Sequence, residues 1–405
     1  MTATLTDTHK PQAGSLPLEG VTVVSLEHAV AAPFATRHLA DLGARVIKIE
    51  RPGVGDFARA YDHRVDGMAS YFVWANRSKE SLTLDVKQPE AQEILHKLLA
   101  KADVMVQNLA PGAAARLGLS YEALSPANPG LIVCDISGYG EGGPYTEKKA
   151  YDLLIQSESG FLSTTGTPEE QAKAGISIAD IAAGMYAYTN ILGALIGRGR
   201  TGRGRRIEVA MIDAMVELMG FPMYYAYKGQ EPPRRCGASH ATIYPYGPFL
   251  AGDGRTVMMG LQNEREWAVF CDKVLGDSGI AADARFASNA QRVANRDPLR
   301  AVIEQAFAGS SAEEVLGKLD AAGIANASVN TMSDIWAHPQ LQARKRWTTV
   351  DSPVGPLPAL QPPGMGGDHP ARMDPVPALG AHTDAILDEL GYGGRIAELH
   401  ARKVV

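Results

Sequence analysis

Short apolar runs recur along the first third of the chain. They are rich in β-branched residues: VTVVSL (21–26), ARVIKIE (44–50), SLTLDV (81–86), DVMVQN (103–108) and LIVCDIS (131–137). Runs of this kind are typical of strands that are buried on both faces of a sheet. We therefore predict that these segments form strands of one sheet.

Helical patterns lie between these runs. Pro33 suits the first turn of a helix that would end at Gly43. Residues 89–102 place their apolar side chains on one face of a second helix: Ile94, Leu95, Leu98 and Leu99. Strands and helices that alternate with short links predict an α/β fold with an open, mostly parallel sheet and helices on both of its faces.

Residues 176–197 form the longest apolar stretch. A membrane span needs roughly 20 residues, so the stretch is long enough to cross a bilayer. However, it contains Asp180 and Asn190, and a charged residue is costly in lipid. We therefore predict a buried helix and no membrane association. A glycine- and arginine-rich turn then leads into a strand, IEVAM (207–211), and a helix over 212–227.

The pattern changes from about Pro245. The turn signal AGDG lies between two apolar runs in residues 246–260, which predicts a β-hairpin. Helical patterns follow at Glu264–Val274, Leu299–Phe307 and Ala312–Ala322. Eight prolines between residues 351 and 377 predict an extended segment, because proline-rich chains stay extended.

These changes, and a length of 405 residues, predict more than one structural unit. The predicted division is a disordered tail over 1–15, a large domain over 16–225, a linker over 226–244, a small α+β domain over 245–340, a proline-rich extended linker over 341–380 and C-terminal helices over 381–405.

Composition narrows the function. Lys and Arg number 39 and Asp and Glu 45, a net charge of −6, whereas a protein that binds nucleic acid needs a clustered basic face. Three cysteines without metal or disulfide spacing fit a reducing compartment. The first fifteen residues contain no apolar segment of a signal peptide. We therefore expect a cytoplasmic protein with no nucleic-acid partner.

Several common sites are missing from the sequence. No glycine occurs between Val21 and Asp41, so the G-x-G-x-x-G loop of NAD- and FAD-binding folds is absent from the first βα junction. The chain also lacks a P-loop, a G-x-S-x-G elbow and H-E-x-x-H spacing. We therefore expect no metal and no permanently bound cofactor.

Two features remain as candidates. The turn ERPGVGD (50–56) is either a simple connection or a loop that contacts an anion. Asp180 falls in the first turn of the 176–197 helix, where the helix dipole favours a carboxylate. It is either a helix-capping residue or an ionised nucleophile, and the local pattern leaves both readings open.

Several segments, taken in order, resemble the family III CoA-transferases, which include formyl-CoA, carnitine and bile-acid CoA-transferases. The resemblance extends from about Leu16 to Val405 and is carried by PLEGVTVVSLEHAVAAPFATRHLADLGARVIKIERPGVGD, by 81–145, by GRTGRGRRIEVAMIDA and by LGAHTDAILDELG. It implies a large Rossmann-like domain joined to a small one. It also implies an interlocked homodimer in which the C-terminal helices return to the large domain.

The resemblance further implies that CoA thioesters are the substrates. The positions that match CoA contacts of the family are His28, Ala29, Val30, Arg51, Leu84, Lys87, Asn108, Arg116 and Lys149. Arginine and lysine are suited to the phosphates of CoA. Taken singly, each charged position is also typical of an ordinary solvated surface residue.

Asp180 matches the nucleophile of the family, in SIADIAAG. The resemblance implies that its carboxylate takes CoA from a donor thioester through an anhydride and passes CoA to an acceptor acid, which is covalent catalysis. Backbone N–H groups near Ala29–Val30 and the CGASH loop would stabilise the oxyanions. We expect a succinyl-CoA-like donor and a small organic acid.

The substrate pocket departs from some members of the family. The candidate positions are Tyr151, Asp152, Gly237, Ala238, Ser239 and His240. The loop around 235–240 is short, which argues against an oxalate-type substrate. Tyr151 stands where related 2-methylacyl-CoA racemases have a histidine, so racemisation is a weaker alternative. A CoA-binding module without turnover would not need Asp180. Asp152 is either a pocket residue or a structural hydrogen-bonding acid.

Overall fold

A computed structural model describes residues 16–405, and the tail predicted over 1–15 lies outside the described residues. The strands of the described chain are β1 (Thr22–Leu26), β2 (Arg45–Glu50), β3 (Lys79–Thr83), β4 (Val104–Gln107), β5 (Ile132–Ser137), β6 (Arg206–Ala210), β7 (Tyr246–Leu250), β8 (Thr256–Gly260), β9 (Ala325–Ser328), β10 (Trp347–Val350) and β11 (Leu357–Leu360).

The α-helices in the same residues are α1 (Ala31–Asp41), α2 (Ser70–Asn76), α3 (Pro89–Leu99), α4 (Ala113–Arg116), α5 (Tyr121–Leu124), α6 (Asp152–Glu158), α7 (Phe161–Thr164), α8 (Ile178–Thr201), α9 (Met211–Leu218), α10 (Gly220–Tyr225), α11 (Glu264–Phe270), α12 (Asn289–Ala294), α13 (Arg296–Phe307), α14 (Ala312–Ala321), α15 (Met332–Trp336), α16 (Pro339–Ala343), α17 (Thr383–Glu389) and α18 (Ile396–Ala401). Short 3-10 segments cover Phe57–Ala60, Tyr227–Gly229, Ser278–Ala282 and Gly393–Arg395, and a π-helical turn covers Cys271–Leu275.

The chain forms two compact units. Of the described residues, the first unit contains 16–159, 175–218 and 341–405, and the second contains 160–174 and 219–340. The predicted large domain over 16–225 differs from the first unit in two ways. The second unit begins near residue 219 instead of 245, and it includes residues 160–174. The C-terminal residues 341–405 are part of the first unit.

The first unit is built on a six-stranded sheet with the order β3-β2-β1-β4-β5-β6. Every neighbouring pair is parallel; Val23 of β1, for example, aligns with Val46 of β2 and with Val104 of β4. The prediction of an α/β fold with a mostly parallel sheet is therefore confirmed. In sheets of this order, ligands bind beyond the carboxyl ends of the strands where the order reverses, which here lies between β1 and β4.

Apolar side chains of the sheet, α3 and the C-terminal helices share one core. Val24, Ile47 and Ile94 are fully buried there together with Leu387 of α17 and Leu399 of α18. A fully buried side chain of this size contributes about 1.5–3 kcal/mol. The C-terminal helices are thus integral to the core of the first unit.

The second unit packs helices on a small antiparallel sheet of order β7-β8-β9. Phe249 of β7 aligns with Val257 of β8, so the predicted hairpin is confirmed. Trp267, Phe270 and Leu319 are buried in its core. The unit has its own apolar centre.

Two element predictions were wrong in detail. The third strand begins at Lys79 instead of residue 81, because the lysine is buried in an ion pair that an apolar pattern does not reveal. The helix predicted over 212–227 ends at Leu218, and a separate short helix starts at Gly220. No helix within residues 16–405 is long and apolar enough to cross a membrane.

Candidate active site

The loop between β1 and α1 has a backbone conformation that its sequence disfavours. Ala29 has φ of 60°, a left-handed conformation that costs an alanine roughly 1–2 kcal/mol. The Asn108 side chain binds both backbone groups of His28, the residue before Ala29. Its Oδ1 accepts from the His28 N–H at 2.9 Å, and its Nδ2 donates to the His28 carbonyl at 2.9 Å. Asp56 Oδ1 accepts from the N–H of Ala29 at 3.1 Å. The backbone of His28 and Ala29 is therefore held by side chains of other loops.

A cluster of buried charges underlies this loop. Lys48 Nζ lies 2.7 Å from Asp56 Oδ2 and 3.3 Å from Glu27 Oε1, and Lys79 Nζ lies 2.7 Å from the same Glu27 oxygen. All four side chains have no exposed area. We call Glu27, Lys48, Asp56 and Lys79 the buried charge cluster.

Burial and ion pairing shift the pKa values of these groups in different directions. Burial alone would raise the pKa of Glu27, but the two lysines lower it to about 2. Burial lowers the pKa of Lys79 to about 7, although Glu27 opposes the shift. For Lys48, burial is outweighed by Glu27 and Asp56, so its pKa is raised. Glu27 and Lys48 are thus held in their charged forms.

Asp180 is the third residue of α8, and another acid caps the helix. The N-cap residue Ser177 makes no side-chain hydrogen bond to the helix. Instead, Asp152 Oδ1 accepts from the N–H groups of Ala179 at 2.8 Å and Asp180 at 3.2 Å, and its Oδ2 accepts from Gln156 Nε2 at 2.7 Å. The capping role considered for Asp180 thus belongs to Asp152, which acts as a structural hydrogen-bonding acid and leaves the Asp180 carboxylate outside the cap.

A glycine brings α8 close to the start of α1. A Cβ at Gly184 would lie 2.7 Å from the carbonyl oxygen of Ala31 and 3.1 Å from Phe34 Cδ1. Residues four apart lie on the same face of a helix, so Asp180 and Gly184 share the face of α8 that packs on α1. Tyr188 of α8 lies against His38 of α1, with 5.3 Å between the ring centroids, so the two helices run in the same direction. One turn before Gly184, Asp180 is therefore placed toward the 28–30 loop, which directly precedes Ala31.

Asp180 is a carboxyl group with an unusually high proton affinity. Burial, and after it the negative charge of Asp152, raises its pKa from 3.8 to about 7. The helix N-terminus favours the anion but does not cancel these two effects. The ionised form of Asp180 is thus less favoured than that of an exposed aspartate.

An aromatic row next to Asp180 was not identified from the sequence. The His28 ring stacks on the Phe57 ring, with 5.2 Å between the ring centroids. The centroids of Phe57 and Tyr61 are 5.7 Å apart, and those of Tyr61 and Tyr71 are 5.4 Å apart. Burial raises the pKa of Tyr61 to about 12, and the charge of Asp180 contributes to this shift. Tyr61 therefore lies within electrostatic reach of Asp180. The high density of aromatic residues between positions 57 and 74 is the sequence feature that could have indicated this row.

Tyr151 lies near Tyr61, since it contributes to the raised pKa of that residue. Its side chain is 70% exposed. Burial lowers the pKa of His28, and Arg51 contributes to the shift, so Arg51 lies near the loop as well. The first unit thus places several of the predicted site residues around residues 28–30.

The proposed CoA contacts follow the carboxyl ends of neighbouring strands. Arg51 comes after β2, Leu84 after β3 and Asn108 after β4, so they share one edge of the sheet. Arg51, Lys87, Arg116 and Lys149 are exposed. Leu84 is different: the residue is buried in the core and its N–H donates to the Glu50 carbonyl at 2.8 Å, so it presents almost no surface to a ligand.

A cavity of about 340 Å³ opens at the carboxyl ends of β4 and β5, next to β6. Acids line it, including Asp135, Glu141 and Glu208. The arginine in its lining, Arg206, pairs with Asp135 at 2.9 Å and with Glu141. This cavity is therefore a poor site for phosphate groups.

The 235–240 loop belongs to the second unit. Arg235 donates to the carbonyl oxygens of Thr167 at 2.8 Å and Pro168 at 2.9 Å. His240 Nδ1 accepts from the N–H groups of Thr242 and Ile243, and its ring stacks on Tyr246 at 5.3 Å. Arg235 and His240 are thus used in holding the loop. Gly237 has φ of 61° and donates its N–H to Gly166.

The site can supply a carboxylate nucleophile in a partly buried setting. Residues 16–405 contain no group of three or more acidic, histidine or cysteine side chains placed to hold a metal ion. The groups around Asp180 are the Asp152 cap, the 28–30 backbone and the aromatic row. This arrangement is suited to attack by a carboxylate on an activated carbonyl.

Comparison with known proteins shows the family to which the chain belongs. The family model of CoA-transferase family III matches residues 18–383. The chain is 35% identical over 385 residues to a succinate--glutarate CoA-transferase of Agrobacterium fabrum, covering 92% of this chain and 96% of that protein. It is 34% identical over 399 residues to the human succinyl-CoA:glutarate CoA-transferase, covering 96% and 90%.

A solved structure shows the same fold. The crystal structure of a CAIB/BAIF family protein from Brucella suis matches with a TM-score of 0.82 and 36% identity, over 93% of this chain and 100% of that one. The match of the family model over nearly the whole chain confirms the resemblance found in the sequence. This protein belongs to CoA-transferase family III and is an enzyme of that class.

Proposed function

We propose that this enzyme transfers CoA from succinyl-CoA or a similar dicarboxylyl-CoA to a small dicarboxylic acid, with Asp180 as the nucleophile. The observation that carries the proposal is the position of Asp180: it lies outside the cap of α8, beside the 28–30 loop, and Asp152 makes the capping bonds. The relatives named succinate--glutarate and succinyl-CoA:glutarate CoA-transferase support the choice of donor and acceptor.

The proposed reaction has two symmetrical halves. The Asp180 carboxylate attacks the thioester carbonyl, and the C–S bond breaks to give a mixed anhydride and CoA thiolate. The thiolate then attacks the Asp180 carbonyl, which releases succinate and leaves a CoA thioester on Asp180. The acceptor carboxylate and the released thiolate repeat these steps in reverse order. One thioester replaces another, so the free energy of the bond is conserved and no ATP is consumed.

Each tetrahedral intermediate carries a negative oxygen that needs hydrogen-bond donors. Because the Ala29 N–H donates to Asp56, it is not free for this role, which corrects half of the expected Ala29–Val30 pair. We assign the role to the N–H of Val30. The neutral His28 ring and Arg51 adjoin the same loop, and Arg51, Lys87 and Arg116 offer cations for the CoA phosphates.

The proposed assembly is a homodimer in the cytoplasm. Phe221, Met223 and Tyr224 of α10 are 59%, 55% and 81% exposed, and apolar patches of this kind mark protein interfaces. A second copy of the chain is the proposed occupant. The three cysteines are free, which is consistent with a reducing compartment.

The test is direct product analysis. The purified protein is incubated with succinyl-CoA and, in separate reactions, with glutarate, mesaconate, itaconate, malate or citramalate, and the CoA esters are identified by mass spectrometry. We expect a new dicarboxylyl-CoA and an equal amount of succinate, without ATP. Failure of succinyl-CoA to donate CoA to any of these acids would contradict the proposal.

A parallel reaction in D₂O separates transfer from racemisation. With 2-methylacyl-CoA and no acceptor acid, we expect very slow α-deuteration, because Tyr151 stands in place of the second proton-transfer group. Fast deuteration would favour the racemase alternative. Sedimentation at high dilution tests the homodimer, and a folded monomer would contradict it.

A further inference from the structure

We propose that Asp56 is a positioning residue for CoA transfer: its Oδ1 fixes the backbone of the 28–30 loop beside Asp180. This inference rests on the proposed function. Asp56 is not expected to touch the substrate, since its side chain has no exposed area.

Both oxygens of Asp56 are occupied in ways that fix the loop. Oδ1 accepts from the N–H of Ala29 at 3.1 Å and from that of Ala58 at 2.9 Å. Oδ2 lies 2.7 Å from Lys48 Nζ. Ala29 is the residue with the left-handed backbone. Asp56 therefore holds the one peptide of the loop that would otherwise relax to an ordinary conformation.

The residue that precedes the loop is fixed by the same cluster. Glu27 Oε1 accepts from Lys48 and Lys79, and Glu27 Oε2 accepts from Thr36 Oγ1 of α1 at 2.6 Å. Lys79 also donates to the carbonyl of Pro33 in α1 at 2.9 Å. The strand before the loop, the loop itself and the helix after it are thus joined through the buried charge cluster.

Stability alone does not account for this arrangement. A buried ion pair often contributes no more to stability than apolar residues of the same volume. Two acids and two lysines under one loop are therefore better explained by the geometry that they impose. Misplacement of a catalytic group by about 1 Å can cost roughly 10²-fold in rate.

A matched pair of double variants tests the role. In Lys48→Met/Asp56→Asn the two charges are removed together, and the amide Oδ1 still accepts from the N–H of Ala29. In Lys48→Met/Asp56→Ala the charges are equally balanced, but the acceptor is lost. We expect the Asn variant to keep kcat within a few-fold of the wild type and the Ala variant to lose roughly 10²-fold.

The control is a second buried ion pair in the same unit. Asp41 bonds Arg77 at 2.8 Å and Arg37 at 3.2 Å and makes no bond to the 28–30 loop. Asp41→Ala should lower the melting temperature and leave kcat, measured well below that temperature, within a few-fold of the wild type.

Three readouts separate positioning from general damage. In Lys48→Met/Asp56→Ala the dissociation constant for free CoA should stay within a few-fold while kcat falls. Amide hydrogen exchange in the peptide that contains residues 28–30 should be faster in Lys48→Met/Asp56→Ala than in the wild type. It should stay slow in Lys48→Met/Asp56→Asn and in Asp41→Ala. Equal kcat in the two double variants would overturn the proposal, as would an equal loss in Asp41→Ala.

The wild type separates this proposal from the proposed function. A wild type that transfers no CoA with any acid would contradict the function, and the positioning role with it. A wild type that transfers CoA, together with a fully active Lys48→Met/Asp56→Ala variant, would contradict only the positioning role.

Discussion

The interiors of the two units differ in kind. The first unit buries eight charged residues: Glu27, Arg37, Asp41, Lys48, Glu50, Asp56, Arg77 and Lys79. The described core of the second unit is aromatic and aliphatic, and the charged side chain buried there is Arg292, which pairs with Glu264 at 2.7 Å. Apolar burial stabilises a unit almost regardless of detail, whereas buried charges need fixed partners.

The difference corresponds to what each interior supports. Five of the eight buried charges in the first unit are the buried charge cluster and Glu50. The cluster contacts the 28–30 loop and the residues on either side of it, and Glu50 contacts Asp56, which holds that loop. Glu50 accepts from the Asp56 N–H at 3.0 Å and from Arg59 at 2.8 Å. We infer that polar burial in this protein fixes the geometry of a site and that apolar burial supplies its stability.

The largest effect is expected from Asp180→Ala. If its carboxylate is the nucleophile, transfer should fall by roughly 10⁴-fold or more, while the affinity for free CoA stays within a few-fold. Steady-state kinetics and calorimetry with CoA check both. Undiminished transfer would remove Asp180 from the mechanism.

The same variant should be more stable than the wild type at alkaline pH. Because the folded pKa is about 7 and the ordinary value is 3.8, ionisation of Asp180 penalises the folded state increasingly between these values and fully above pH 7. The gain from Asp180→Ala should therefore be larger at pH 8 than at pH 5. Urea unfolding at the two pH values measures it, and an equal gain would contradict the raised pKa.

The next largest effect is expected on stability, when one charge is removed from the buried charge cluster of the first unit. Lys48→Met leaves Asp56 buried without its cation and should cost about 3–5 kcal/mol of unfolding free energy. Adding Asp56→Asn should recover most of this loss, because no unpaired charge remains. Denaturant unfolding of the single and double variants gives the coupling energy. Additive losses would contradict the account of the cluster.

A cavity in the second interior provides the contrast. Leu319 of α14 is fully buried, and Leu319→Ala should cost about 2–5 kcal/mol. Transfer by the folded variant at low temperature should stay within a few-fold of the wild type. A large loss of kcat in the folded state would show that the apolar interior also determines catalytic geometry.

Gly184→Ala tests the close approach of α8 to α1. The added Cβ would meet the Ala31 carbonyl at 2.7 Å, and overpacking of this kind costs about 1–3 kcal/mol. Since α8 carries Asp180, we expect a lower kcat as well as lower stability. Gly193→Ala on the same helix is the control, because nothing lies within 4 Å of its Cβ.

The smallest effect concerns pH. Transfer should decline as the pH falls through about 7, because protonated Asp180 is not a nucleophile. In Asp152→Asn one negative charge near Asp180 is lost, so the acid limb of the kcat profile should move to lower pH. An unmoved limb would show that Asp152 does not influence Asp180.

The sequence predicted the α/β fold and its parallel sheet, while the site residues stay a prediction. Apolar runs located the six strands of the sheet within a few residues, and the family resemblance identified Asp180 and the 28–30 loop. Lys79 and Tyr61 were missed, for a physical reason. A buried lysine looks like a surface residue until its partner is known, and an aromatic row joins residues whose spacing follows no helix or strand period.

Trapping of the acyl-enzyme tests the central claim most directly. The wild type is mixed with succinyl-CoA, quenched with hydroxylamine, digested and analysed by mass spectrometry, with Asp180→Ala as the control. We predict a hydroxamate on Asp180 in the wild type and no modified peptide in the variant. A wild type that transfers CoA while Asp180 stays unmodified, or a hydroxamate on a different residue, would contradict the account.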